Sequence, residues 1–161
     1  MTTSYFEYHK AKVIQGLRYH YISKKEIKFM IILVNVFSLL TAALYFMQRI
    51  TPKAFVTGSL LWFMMMILFW MVLPRLIYRR SPFFKGKYRL LLDQSHFTLQ
   101  TEDAGKSWTW DEFTTYMESP HFFHIYIGKK SFFIIPKEAF ADDQEVEARA
   151  LFKEKILTPK G

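Results

Sequence analysis

Cysteine is absent from this 161-residue chain, so no disulfide framework and no thiolate metal site can be drawn. Glycine is scarce: the six glycines stand at 16, 58, 86, 105, 128 and 161, too scattered for a phosphate-cradling loop, and no Gly-x-Ser-x-Gly elbow occurs. Acids are nearly missing from the first part of the chain. Residues 1–89 hold only Glu7 and Glu26 against 14 lysines and arginines, while residues 90–161 hold 12 acids against 8 bases, so the net +8 divides into +12 and −4. The acidic balance of the second part argues against a nucleic-acid-binding domain there. Charge of either sign is missing altogether from Phe29 to Met47 and from Ala54 to Leu73.

Those two runs define where the chain resides. At about 1.5 Å of rise per residue each is roughly 28–30 Å long, the hydrocarbon thickness of a bilayer. Only Gln48, Arg49, Ile50, Thr51, Pro52 and Lys53 separate them, so the expected transmembrane helices at 29–47 and 54–73 form an antiparallel hairpin. Lys10, Lys12, Arg18, Lys24, Lys25 and Lys28 precede it and Arg75, Arg79, Arg80, Lys85, Lys87 and Arg89 follow it, against Arg49 and Lys53 between the spans. By the positive-inside rule both termini are cytoplasmic. The first run begins after 28 mostly polar residues and is too long for a signal-peptide core, so it reads as an uncleaved anchor.

Asn35, Ser38 and Ala42 recur at spacings of three and four and share one face of the first helix, and Thr57, Gly58 and Ser59 lie near the outer end of the second. One reading is helix–helix packing with a cross-helix hydrogen bond from Asn35; the other is a polar site within the membrane. A transport path needs ionisable groups and more than two helices, which favours packing. Met64, Met65, Met66, Trp62, Phe63, Phe69 and Trp70 supply lipid-facing and packing bulk, and Pro74 kinks or ends the second helix.

After Pro82 the period changes to two, the reading for antiparallel strands. Phe97, Leu99 and Thr101 oppose His96, Thr98 and Gln100; Glu102 to Gly105 supplies a turn; Trp108 and Trp110 share a face; and Phe113, Thr115 and Met117 continue the pattern to Ser119-Pro120. Phe123, Ile125 and Ile127 follow, then a turn at Gly128-Lys129-Lys130, then Ser131 to Ile135. About six strands at this spacing form a meander that curls into a barrel or sandwich. Asp142 with Glu145 fits a capping box, and Ala148, Leu151, Phe152 and Ile156 give the following helix an apolar stripe that leaves out Val146 and Leu157. At the N-terminus, Tyr5 to Tyr8 is expected to add an edge strand to the same sheet. Val13, Ile14, Leu17 and Tyr21 repeat at helical spacing despite Gly16, so residues 9–22 either pack on the β domain or lie on the headgroups as a basic amphipathic helix.

Candidates for chemistry are few. His121 and His124 are three apart on a strand and point to opposite faces, so they do not share an ion. The pairs Glu102-Asp103 and Asp142-Asp143 serve a turn and a helix start. No catalytic, cofactor or metal residue is assigned, and the chain is expected not to be an enzyme. The strongest signal is the basic stretch Arg75, Arg79, Arg80, Lys85, Lys87 and Arg89 with Phe83 and Phe84, which suits anionic lipid, the aromatic pair dipping into the interface. A partner surface is expected at Phe122, His124 and Tyr126, opposite Phe123 and Ile125.

The hairpin, Tyr88-Arg89-Leu90, Trp110-Asp111-Glu112-Phe113, and Phe133-Ile134-Ile135-Pro136-Lys137-Glu138-Ala139-Phe140 before an acidic-to-basic helix together resemble the YcxB-like family of small bacterial membrane proteins. The resemblance implies a cytoplasmic domain similar to a pleckstrin-homology-like (PH-like) barrel and a place in the bacterial inner membrane, and it implies no agreed activity. Physically, Pro136 ends the last strand, Phe140 staples the helix and Trp110 anchors the core. The expected architecture is an α+β membrane protein: an N-terminal strand and amphipathic segment at 1–28, the two-helix hairpin, and a mainly antiparallel β domain at 82–161 capped by a C-terminal helix. The expected function is a membrane-anchored binding or regulatory module on the cytoplasmic face that recruits a protein or senses anionic lipid. The alternative is a small structural or immunity-type subunit acting through its hairpin, with a second copy of the chain or another protein as its partner. Protease added to right-side-out vesicles should leave the C-terminus protected; its digestion there would reverse the topology.

Overall fold

The computed structural model describes residues 1–128 and 131–157; Lys129 and Lys130 of the expected turn, the side chain of Leu157, and the last four residues of the 82–161 domain lie outside the described residues. The chain divides into two compact units, one running from Leu17 to Arg80 and the other combining Met1–Gly16 with the chain from Ser81 onward. Helix α1 (Lys10–Ser23) passes from the second unit into the first.

In the hairpin unit, α2 (Lys25–Phe46) is followed by α3 (Pro52–Ile67), a π-helical turn (Leu68–Val72) and α4 (Leu73–Arg80). The last three form one rod, Pro52–Arg80, and both it and α2 are long and apolar enough to cross a membrane. The rod extends beyond the expected 54–73 at both ends and α2 begins before the expected residue 29, because backbone hydrogen bonding continues past the point where charged side chains begin; α2 stops at Phe46, one residue short of the expected 47. In particular, Pro74 does not end the second helix. At the tip, Gln48 takes the left-handed conformation (φ 55°), with Gln48 N–H donating to Tyr45 O and Arg49 N–H to Leu44 O, each at 2.9 Å, the bond pattern of a Schellman stop. Thr51 caps α3 by accepting from Ala54 N–H, Pro52 opens it, and the rings of Tyr45 and Phe55 stack at 4.5 Å.

Four polar side chains of the hairpin bond to their own helices. Asn35 Nδ2 donates to Ile31 O, Thr41 Oγ1 to Phe37 O, Thr57 Oγ1 to Lys53 O and Ser59 Oγ to Phe55 O, all at 2.8–3.0 Å. The expected cross-helix bond from Asn35 is therefore not made: in lipid the nearest satisfaction for a short polar side chain is the carbonyl one turn back. Asn35, Ser38 and Ala42 are half-buried on the stripe that includes Thr41 and Tyr45, which meet Gly58 and Phe55 of α3.

The other unit holds two antiparallel sheets. The first has the order β1 (Phe6–Glu7), β2 (Lys87–Leu92), β3 (His96–Gln100), β4 (Gly105–Thr109), and the second the order β5 (Phe113–Glu118), β6 (Phe122–Ile127), β7 (Ser131–Pro136). The expected N-terminal edge strand is present: Phe6 pairs with Tyr88 and Glu7 with Lys87, and a further bridge joins Thr2 to Leu91. Phe97 ties the sheets together, packing on Trp108, Trp110 and Phe113 and stacking on Phe133 at 5.6 Å. Trp110 is buried as an anchor, its Nε1–H donating to Asp93 O, and it sits not on a strand but in a short turn, Trp110–Glu112, closed by a Thr109/Glu112 capping box.

Two sequence patterns shift. A bulge between Phe113 and Thr115 moves the inward position of β5 from Thr115 and Met117 to Tyr116. Helix α5 (Asp142–Phe152) starts after Ala141 with no side-chain cap, so Asp142 and Glu145 lie inside its first turn, where they face the positive end of the dipole instead of closing a capping box. Phe140 packs edge-on against Phe123 at 5.7 Å and so serves the sheet core, not a staple on α5. The apolar stripe is as expected, with Ala148 and Phe152 of α5 and Ile156 of the π-helical turn that follows it (Lys153–Leu157) buried and Val146 exposed.

Helix α5 is held by charge as well as by its stripe. Glu118, at the end of β5, accepts from Arg149 Nε at 2.9 Å, from Lys137 Nζ at 2.9 Å and from the Tyr116 hydroxyl, while Arg149 also reaches Glu145 at 2.5 Å. Burial alone would raise the Glu118 carboxyl, but the bonds from Tyr116, Lys137 and Arg149 outweigh it and hold its pKa down to about 2. Both cations also lie over the Phe123 ring. Beneath, β6 is buried on both faces: Phe123 and Ile125 on one, Phe122 and His124 on the other. A Cβ at Gly16 of α1 would come within 2.9 Å of the Phe122 ring, so the helix approaches that face as closely as a glycine permits.

Two substitutions test this packing. Gly16→Ala gains roughly 1 kcal/mol of helix propensity but overpacks a buried ring at a cost of about 1–3 kcal/mol, so the melting midpoint should fall by a few degrees; a rise would refute the close approach. Because the Glu118 pKa is depressed on folding, its contribution is complete above its unfolded value and is lost as pH falls through the acidic range toward 2. Glu118→Gln should cost about 2 kcal/mol at neutral pH and flatten that acid limb of a stability–pH curve; an unchanged limb would count against the clamp.

Candidate membrane-surface site

The basic stretch is not one site. Arg75, Arg79 and Arg80 lie on α4 in the hairpin unit, and Lys85, Lys87 and Arg89 belong to the β unit. On α4 the four-residue spacing puts Arg75 and Arg79 one turn apart on the same face, with Arg80 beside them. All three are exposed, and among the described residues none has a carboxylate within ion-pair distance. Lys85 is likewise exposed and without an ion-pair partner there. Lys87 and Arg89 are engaged at the sheet edge: Lys87 lies 3.8 Å from Glu7, and the Arg89 guanidinium sits 5.7 Å from the Tyr5 ring. Only the α4 arginines and Lys85 therefore keep the free charge that an anionic surface requires.

Phe83 and Phe84 do not dip into an interface. Phe84 is buried, and both rings join Tyr8 and Tyr88 in an aromatic cluster that Phe83 extends to Phe133. Tyr8 closes it by donating to Ile134 O at 2.8 Å, and burial, reinforced by Tyr88, raises its pKa well above the ordinary value, so it remains a neutral donor. The aromatic pair was read as interfacial because its basic neighbours were visible in sequence and its ring partners, some 75 residues back and 50 ahead, were not.

The expected partner surface is also corrected. Phe122 and His124 are 2% and 0% exposed, so the face opposite Phe123 and Ile125 is core and not a solvent-facing patch. Tyr126 is half-buried with its ring near Phe132. The alternation of β6 was correct; the inference that one face meets water failed because the N-terminal segment, far off in sequence, covers it. His124 Nε2 shares a hydrogen bond with the buried Ser119 hydroxyl at 2.8 Å, while Lys137 N–H donates to His121 O. Among the described residues no group of three or more His, Asp or Glu is gathered for a metal ion. His20 of α1 is buried, and that burial, with help from Lys24, lowers its pKa to about 4, keeping it neutral.

Two constellations escaped the sequence. The Glu118 cluster joins positions 116, 118, 137, 145 and 149, and its one sequence hint was Lys137 within the Ile-Pro-Lys stretch. The second is at the foot of the rod. Pro74 has no amide hydrogen to give Trp70 O, and Arg18 Nε donates to that carbonyl at 2.9 Å while its guanidinium lies 5.1 Å from the Trp70 ring.

Comparison with known proteins bears on the β unit. Residues 92–152, from the end of β2 to the end of α5, match a family model described as YcxB-like protein. No curated protein and no solved structure matches the chain. The matched stretch contains the Trp110 anchor, Glu118 with its partners Tyr116, Lys137 and Arg149, and the Ile-Pro-Lys-Glu-Ala-Phe run on which the resemblance rested, so the similarity to the YcxB-like family is shown for residues 92–152.

Proposed function

We propose that this protein is a membrane-anchored, non-enzymatic module that senses anionic lipid at the cytoplasmic face of a bacterial inner membrane, its hairpin tethering a β domain of PH-like character. One observation carries the reading: Arg75, Arg79 and Arg80 stand exposed and without carboxylate partners directly after an apolar rod of membrane-spanning length. Each such charge gains about 1 kcal/mol beside an anionic leaflet, enough in sum to select lipids around the helix foot. Recruitment of a protein through Phe122 and His124 has lost its surface. The alternative, a subunit acting through its spans, relied on Asn35 and Ser38, and the Asn35 amide bonds to its own helix.

Quenching of tryptophan emission by brominated lipids, with the purified chain in vesicles of phosphatidylglycerol and phosphatidylcholine, tests this. Wild type should prefer the anionic lipid several-fold, and Arg75→Gln with Arg79→Gln and Arg80→Gln should bring the ratio near unity, as should high salt. A ratio unmoved by the triple change would refute the proposal.

A further inference from the structure

We infer that the foot of the hairpin holds a discrete site for a single anionic phospholipid, its phosphate on Arg18 and the beginning of an acyl chain laid against the adjoining apolar cleft. This rests on the lipid-sensing reading above and gives it a specific residue. Arg18 is fixed from two directions, by the Nε bond to the carbonyl that Pro74 leaves without a helical donor and by the Trp70 ring beneath its plane. Such a π-helical turn as Leu68–Val72, immediately before the proline, is a frequent mark of a functional position. The two terminal amino groups of the guanidinium make no hydrogen bond or ion pair to any described residue, so a planar fork suited to bidentate phosphate binding is already oriented.

Beside that fork lies a shallow cleft, too small to enclose a chain but offering an apolar face for one to lie on, lined by Tyr21, Ile22, Ile27, Ile31, Phe69 and Leu73. It is almost wholly apolar, with the guanidinium at its rim. A free phosphate has no use for these side chains, and an alkyl chain alone has none for the arginine; a phospholipid presents both, joined through its glycerol and ester linkage. The net charge selects the anionic class. Lys24, Lys25 and Lys28 at the start of α2 and Arg75, Arg79 and Arg80 on α4 share this end of the antiparallel hairpin, and Glu26 is the one acid between Leu17 and Arg80.

Native mass spectrometry of the full chain released in mild detergent, with dioleoylphosphatidylglycerol or dioleoylphosphatidylcholine added, reads the site directly. Wild type should retain one phosphatidylglycerol, and Arg18→Gln should weaken retention about tenfold, the equivalent of one charge-assisted hydrogen bond. Equal retention by Arg18→Gln, or equal retention of phosphatidylcholine, would overturn the site. If circular dichroism shows Arg18→Gln to be unfolded, Ile31→Trp fills the cleft and leaves the guanidinium; a folded Ile31→Trp that still retains the lipid would also overturn it. The α4 triple variant should keep the single retained lipid while losing the brominated-lipid preference. An Arg18-dependent lipid without that preference would refute the surface reading alone, and the preference without an Arg18-dependent lipid would refute the site alone.

Discussion

The short ladder between β1 and β2 sets the constraint under which the rest of the molecule is built. Phe6 pairs with Tyr88 and Glu7 with Lys87, and Thr3 N–H and its hydroxyl engage Leu90, so strands on either side of the hairpin close one sheet. Everything between is a loop that contains both apolar helices. A chain that closes such a ladder must cross a membrane an even number of times, whichever way it faces. The Schellman stop at Gln48, the Thr51 cap and the Pro52 start turn α2 back within a few residues, and the β unit can then be assembled from both ends of the chain.

That discontinuous assembly explains the depth of burial in the β unit. A three-stranded sheet on its own would have one dry face and one wet one, but β6 is dry on both, with α5 and the β-sheet core on the Phe123 side and the Gly16 turn of α1 against Phe122. The charged residues of the unit are placed accordingly. Glu118, Lys137, Glu145 and Arg149 close around the end of β5 and secure α5, while Glu138 pairs with Lys12 of α1. The Lys137-Glu138 pair, adjacent in sequence, thus ties down α5 with one side chain and the N-terminal helix with the other.

In the hairpin the same need for satisfied polar groups works by a different route. The hydroxyls of Thr41, Thr57 and Ser59 and the Asn35 amide fold back onto carbonyls of their own helices, and the carbonyl that Pro74 strips of its helical donor is served by a guanidinium from α1. Polarity is thereby moved from the middle of the spans to the foot, where Arg18, the α4 arginines and the lysines at the start of α2 gather with one acid among them.

By itself the amino-acid sequence determined the hairpin, the positions of the strands, the N-terminal edge strand, Trp110 as a core residue and the stripe of α5. Each of these depends on local period, on charge-free length or on turn chemistry between neighbours. Tertiary structure decided what each face meets. The bulge at Phe113 reversed the inward positions of β5, the cover from Gly16 turned an expected partner surface at Phe122 and His124 into core, and the ring cluster of Tyr8, Tyr88 and Phe133 withdrew Phe83 and Phe84 from the membrane surface. The contacts between Glu118 and Arg149, and between Arg18 and Trp70, were invisible for the same reason: they join residues 31 and 52 positions apart, and only the closed chain brings them within bonding distance.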